Sequence, residues 1–240
     1  WEQIVSLSTA HDVADLAWKG ILRQAGNQAF NMPDEQRSAL ARTGSEKRQE
    51  TSDGYTLTTA TLPGKRMNRK LQAVKKEADT KEDVTRETSL ICGLLIHNAE
   101  RMLNTGFHLR GIIDLGLALR SIGDRVDYVT IDRWLEQTSM RRMAQLQAGI
   151  LADLFDFDAD EFPFVRREEK NAGQLAVNCI SEIGELGFAG NPKEDGYVSN
   201  NKNRLSMGLR RMSVYYRYSP AGSLSSMLNS MADGLSQIEE

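Results

Sequence analysis

Residues 90–119 read LICGLLIHNAERMLNTGFHLRGIIDLGLAL, and this stretch decides the fold class. In its first half, apolar residues recur every three or four positions from Leu90 to Leu103, as on one face of an α-helix. Gly106 stands where a left-handed residue would end that helix. From Leu109 to Leu119 the second half is apolar almost all round, which predicts a central helix buried by neighbours on several sides.

Helical spacing continues on both sides of this stretch. The apolar positions predict further helices within residues 1–29, 33–42, 130–136, 140–155, 171–186, 200–216 and 221–237. No segment repeats at a fixed period, which argues against a solenoid. We therefore expect a mainly α fold, an irregular antiparallel helical assembly with short loops. Weak alternation allows at most a small β element near residues 53–62.

Three regions of the chain differ in composition. Residues 1–42 are expected to form N-terminal helices that pack on the main body, and residues 85–240 a helical domain. Residues 43–84 between them are polar and then basic. Within this region, Gly64 to Lys76 carries six Lys and Arg and no acid, as in a solvated helix. The middle region therefore has the character of a linker.

The charge balance limits the partners of the protein. Its 240 residues carry 30 Lys and Arg against 33 Asp and Glu, a formal net charge of -3. No global basic field draws nucleic acid, which argues against nucleic acid as a partner. No apolar run approaches the roughly 18 to 20 residues of a membrane span. The start, Trp1-Glu2, lacks the pattern of a signal peptide, so we expect a cytoplasmic protein.

Cysteine and histidine usage gives no framework for disulfides or metal. Cys92 and Cys179 stand alone inside apolar helical patterns and are expected to be free thiols. His11, His97 and His108 have no zinc-type spacing with a cysteine, so no structural metal is expected.

Several short motifs resemble a known family. They are Trp1-Glu2-Gln3-Ile4, Leu94-Leu95-Ile96-His97, Gly106-Phe107-His108-Leu109-Arg110 with Asp114, Ile131-Asp132, and Gly184-Glu185-Leu186-Gly187-Phe188. Over residues 1–40 and 85–240, its helical portions only, the chain resembles an uncharacterised bacterial nucleotidyltransferase family of the polymerase-beta-like superfamily. The resemblance implies transfer of a nucleoside monophosphate from a nucleoside triphosphate to a hydroxyl or phosphate acceptor, with Mg²⁺ as cofactor.

Such chemistry needs two carboxylates that hold magnesium against the triphosphate. The nearest approach is Gly44-Ser45 followed by Asp53, but Gly54 and Tyr55 stand where a second carboxylate is expected. A catalytic mixed sheet would take on the order of a hundred residues, more than residues 42–85 supply. Catalytic residues therefore stay unassigned, and residues 43–84 are either a linker or the remnant of a catalytic insert.

Two pairs of side chains are candidate nucleotide contacts. Arg110 and Asp114 lie four apart on an otherwise apolar helix and can pair, either as a buried ion pair or, by the resemblance, facing phosphates. His97 and Arg101 have the same spacing, and the simpler interpretation of His97 is a residue at the core boundary. His11 and His108 are interpreted as structural residues at helix starts.

A second candidate site lies near the C-terminus, where Gly196 to Ala232 contains no acid. This basic surface would bind a polyanion, RNA or an acidic partner, or it would merely complement the acidic remainder of the chain. Its basic residues are Lys202, Arg204, Arg210, Arg211 and Arg217.

The sequence thus leaves two classes of function open. One is a nucleotidyltransferase-like protein that binds a nucleoside triphosphate and whose carboxylate pair is missing or degenerate. The other is a non-catalytic helical adaptor or regulatory module that binds a protein or polyanion through its basic face.

Overall fold

The computed structural model describes residues 1–24, 26–27, 31–45, 56–81, 83–167, 169–186 and 197–236. Side chains are described within these ranges except at 45, 182–186, 197–205 and 233–236. Over this part of the chain the structure contains eleven α-helices and no β-strand, which confirms the mainly α fold. None of the described helices is both long and apolar enough to cross a membrane.

The helices follow one another with short connections. They are α1 (Glu2–Ala10), α2 (Ala14–Arg23), α3 (Asp34–Ser45), α4 (Lys65–Thr80), α5 (Arg86–Asn104), α6 (Leu109–Ile122), α7 (Tyr128–Thr138), α8 (Arg141–Phe155), α9 (Ala172–Leu186), α10 (Tyr197–Tyr215) and α11 (Pro220–Ser236).

The central helix is α5, and the expectation that α6 would be buried on several sides was wrong. Eleven of the 19 residues of α5 are buried, and it contacts α6, α7, α8, α10 and α11. In α6, by contrast, Leu117 is 61% exposed. Its leucines exceed what its neighbours can cover, because α6 packs through a narrower face that includes Gly111 and Gly116.

Local signals set both ends of α5. At its start, the hydroxyl of Thr85 accepts a hydrogen bond from the N–H of Thr88 at 3.1 Å. At its end, Gly106 has φ 111° and its N–H donates to the carbonyl of Arg101 at 2.9 Å. This is the left-handed end that the sequence predicts, and it turns the chain directly into α6.

The region before α5 contributes to the same core. Leu57, Ala60 and Leu62 are buried against it, and so is one face of α4 formed by Met67, Leu71 and Val74. The helix over 64–76 is therefore solvated only on its basic face, not on all sides as expected. The division into regions 1–42, 43–84 and 85–240 stays a prediction.

The small β element considered near residues 53–62 is absent from residues 56–62, while 53–55 lie outside the described residues. The N–H groups that a strand would offer to a partner are used within a turn. Thr59 donates to the carbonyl of Thr56 at 3.1 Å, and Ala60 donates to that of Leu57 at 3.3 Å.

The first three helices have a small core of their own, formed by Ala14, Ile21, Met32 and Leu40. Between α1 and α2 the chain breaks at Asp12, where φ is 58°, one of the two breaks that the sequence allows. Helix α1 also contacts α9.

Helix α11 turns its small residues inward and leaves leucines outside. The hydroxyl of Ser226 donates to the carbonyl of Leu103 in α5 at 2.7 Å, and Gly222 lies against the Leu103 side chain. Leu224 and Leu228 are 50% and 55% exposed. Small residues at the contact allow α11 to approach the backbone of α5 closely.

Candidate functional site

The predicted contact between Arg110 and Asp114 forms, and a third residue joins it. Arg110 donates from Nε to Asp114 Oδ1 and from a terminal nitrogen to Asp15 Oδ1, each at 2.8 Å. Burial works against the charge of Arg110, but the two carboxylates outweigh it and raise the pKa of the guanidinium. Asp15 lies in α2, so this triad fastens the N-terminal helices to α6. A role of Arg110 and Asp114 in nucleotide binding stays a prediction.

The second predicted pair, His97 and Arg101, lies near the end of α5 in different surroundings. Both side chains are half-buried. Burial lowers the pKa of His97, Arg101 lowers it further, and Glu100 opposes them. Arg101 makes no ion pair with any described residue.

His108 brings a third basic group to the same place. It precedes α6, and its Nε2 lies 3.2 Å from the hydroxyl of Thr105, while its Nδ1 is buried without a hydrogen-bond partner among the described residues. Burial is the main cause that lowers the pKa of His108 to about 4, and Arg101, His11 and His97 each lower it further. All charged side chains that act on His108 are thus basic.

His11 is the fourth member and is 1% exposed. Its Nδ1 accepts from the N–H of Leu109 at 3.4 Å, and its Nε2 lies 3.5 Å from the carbonyl oxygen of Ile180. These contacts suit a neutral ring with its proton on Nε2, and burial lowers its pKa accordingly. The ring centroid of His11 lies 6.4 Å from that of His108.

Arg211 of α10 completes what we call the cationic cluster, which consists of His11, His97, Arg101, His108 and Arg211. Its Cδ lies 3.9 Å from the position that a Cβ would take on Gly106. Its Nε is buried with no partner among the described residues, and burial lowers its pKa, with Tyr215 opposing. Arg211 therefore faces the turn between α5 and α6, not the outer basic surface.

The other residues of the basic surface are distributed differently. Arg210 is exposed, and Arg217 pairs with Glu169 at 3.3 Å. Lys202 and Arg204 belong to α10, but their side chains lie outside the described ones. A single basic face made of all five residues stays a prediction.

The cationic cluster has the chemistry of an anion site. Arginine and protonated histidine donate charge-assisted hydrogen bonds to phosphate or carboxylate oxygens. Metal binding has no comparable support, since the described residues contain no group of three or more His, Cys, Asp or Glu that could hold an ion. Sequence reasoning considered His97 with Arg101 but missed the convergence, because His11 and Arg211 come from distant parts of the chain.

Comparisons with known proteins add no relative. No protein-family model, no curated protein and no solved structure matches this chain.

Proposed function

We propose that this chain is a helical binding module that takes a phosphate-bearing ligand at the cationic cluster. The observation that carries the proposal is the surroundings of His108, where every charged side chain acting on the ring is basic. Side chains that repel one another in the free protein gain most from an anion placed between them.

Arg101 is the expected principal contact. It is half-buried and makes no ion pair within the described part of the chain, so its guanidinium is available for the two parallel hydrogen bonds that phosphate accepts. Arg110, by contrast, already donates to two carboxylates. The unpartnered Nδ1 of His108 would supply a further donor once the ring is protonated.

The narrower form of the proposal is a nucleoside triphosphate as ligand, in a cytoplasmic protein. Transfer of a nucleoside monophosphate with Mg²⁺ belongs to this narrower form and rests on the resemblance alone. The broader form, a non-catalytic module for a phosphate-bearing polyanion, needs only the cationic cluster.

Calorimetry tests the broader form. Tripolyphosphate and ATP are each titrated into the wild-type chain and into Arg101→Gln, with Arg69→Gln as the control. Arg69 is an exposed residue of α4 that makes no ion pair within the described residues. Loss of a charge-assisted pair predicts about tenfold weaker binding for Arg101→Gln, while the control keeps the wild-type affinity.

The proposal fails if millimolar tripolyphosphate gives no binding, or if both variants weaken binding equally. Release of pyrophosphate from ATP in the presence of Mg²⁺ tests the narrower form separately. Binding without pyrophosphate release supports the non-catalytic module. A protein partner alone would give no response to either phosphate.

A further inference from the structure

A separate groove lies along α8, beneath the loop of residues 157–169. It has a volume of about 420 Å³. Its floor contains Gln145, Ala148, Gly149 and Ala152, whose spacing puts them on one face of α8, and its apolar wall includes Phe162. Because three of these four floor residues are very small, the groove leaves room for an apolar group between α8 and the loop.

Two buried glutamines of α8 differ in how their amides are satisfied. Gln147 accepts from Asn98 Nδ2 at 3.2 Å and donates to the carbonyl of Leu95 at 2.9 Å. Gln145 is 7% exposed, lines the groove, and forms no side-chain hydrogen bond to any described residue. A buried amide without a partner is costly, so Gln145 is poised for a polar group inside the groove.

Some charged residues of the groove are already engaged. Arg166 pairs with Asp132. Glu169 accepts from the hydroxyl of Tyr218 at 3.0 Å and pairs with Arg217 at 3.3 Å. These side chains have little capacity left for a ligand.

One cation and one anion at the groove remain available. Arg167 and Asp158 are both exposed, and neither makes an ion pair within the described part of the chain. Arg120, whose charge interacts with Asp158, is itself bound to Glu161 at 2.9 Å. The groove therefore offers one charge of each sign, a free amide and an apolar wall.

We propose that the groove along α8 binds a free α-amino acid with an apolar side chain. Arg167 receives the carboxylate, Asp158 receives the ammonium group, and the amide of Gln145 completes the hydrogen bonds of either group. The apolar side chain lies on Phe162 and the small residues of α8. An α-amino acid is the smallest common molecule that uses both charges and the apolar wall together.

The size of the groove agrees with this class of ligand. Ligand pockets span roughly 300–1,000 Å³, and a volume of about 420 Å³ lies near the lower end of that range. A small ligand whose charged groups are each paired at the rim would bury its apolar part without leaving an uncompensated charge.

Calorimetry with four probes tests the proposal on the full chain. L-phenylalanine and L-leucine are compared with 3-phenylpropionate, which lacks the ammonium group, and phenethylamine, which lacks the carboxylate. We expect both amino acids to bind and each truncated analogue to bind about tenfold more weakly or not at all. No binding of either amino acid, or equal binding of 3-phenylpropionate and L-phenylalanine, overturns the proposal.

Variants locate the binding at this groove. Gln145→Met keeps the length of the side chain but removes the amide, and Arg167→Gln removes the charge. Each is expected to weaken L-phenylalanine binding about five- to tenfold, while Arg69→Gln on α4 leaves it unchanged. Wild-type affinity in both groove variants contradicts the proposal.

A nuclear magnetic resonance measurement avoids any effect of the variants on folding. The side-chain amide signals of Gln145 are identified by their absence from the spectrum of Gln145→Met. In the wild-type protein these signals are expected to shift on addition of L-phenylalanine, and signals that stay in place place the ligand elsewhere. Tripolyphosphate should leave them unmoved, which separates this groove from the cationic cluster.

Discussion

Arg110 shows how a charge is held between elements of this helical protein. Its guanidinium bridges Asp114, one turn further along α6, and Asp15 in α2, with the arginine side chain 15% exposed. Two carboxylates at 2.8 Å compensate a cation that would otherwise be poorly solvated. The triad therefore contributes to the attachment of the N-terminal helices.

Replacing Arg110 with Ala is expected to lower the free energy of unfolding by about 2 kcal/mol, because Asp15 and Asp114 would then repel each other without a cation between them. Urea unfolding measures the change. Arg69→Ala, which removes an exposed arginine, is the control and should stay within about 0.5 kcal/mol of the wild type. Equal effects of the two substitutions would contradict a structural role for the triad.

The same variant examines the nucleotide role that the resemblance implies for Arg110. If the triad is purely structural, folded Arg110→Ala retains the wild-type affinity for ATP. A loss of affinity comparable to that of Arg101→Gln would show that Arg110 also contacts the ligand.

Sequence spacing reaches only part of these residue contacts. The pairing of Arg110 with Asp114 follows from their separation of four positions on a helix. Asp15 lies 95 positions away from Arg110, and no periodicity relates the two. The same limit applies to the cationic cluster, whose members approach each other only because α1, α5, α6 and α10 meet near one turn.

At the scale of elements, the choice of α5 as the central helix depends on neighbours and not on hydropathy. The pattern of α6 is more apolar, yet α6 uses glycines where it crosses α5 and α8. A Cβ on Gly111 would lie 2.1 Å from Asn98 Oδ1, and a Cβ on Gly116 would lie 2.8 Å from the Leu151 side chain. A sequence pattern identifies an apolar face, but it does not give the number of helices that cover it.

Gly111→Ala is expected to lower the free energy of unfolding by about 2–4 kcal/mol. The new methyl group would displace the Asn98 amide, which donates to the Gly111 carbonyl at 2.8 Å and to Gln147 at 3.2 Å. Gly20→Ala in α2 is the control, since nothing lies within 4 Å of its Cβ position. The control should be neutral or stabilising by up to about 1 kcal/mol. Similar unfolding midpoints for the two variants would contradict close packing at Gly111.

At the scale of the whole molecule, the three histidines link stability to pH. The pKa values of His11, His97 and His108 are all lowered, with burial the largest cause in each case. The unfolded chain therefore binds more protons than the folded chain below the ordinary histidine pKa. The stability that these groups provide is complete above about pH 6.5 and is lost as the pH falls through their lowered pKa values.

We accordingly expect the free energy of unfolding to decrease as the pH falls from about 7 towards about 4, where His108 titrates in the folded protein. Urea unfolding across this range gives the slope. His108→Gln should reduce the slope because it removes the group that the basic side chains of Arg101, His11 and His97 act upon. An unchanged slope in this variant would contradict the assignment.

Much of the global architecture is predictable from the sequence, because helix periodicity is local. The mainly α class and the left-handed end of α5 at Gly106 follow from the pattern. The burial of Leu57 and Leu71 does not, since their surroundings in sequence are polar and basic. Only the tertiary position of α4 shows that its apolar face completes the core.

The hydrogen bond from Ser226 to the carbonyl of Leu103 spans 123 positions and has a consequence for the order of folding. During synthesis on the ribosome, the face of α5 that α11 covers is made long before α11 itself. At about 5–20 residues per second, roughly 6–25 s pass between the two. The nascent protein thus carries an unfinished central helix through that interval, and the last helix to be translated closes the structure.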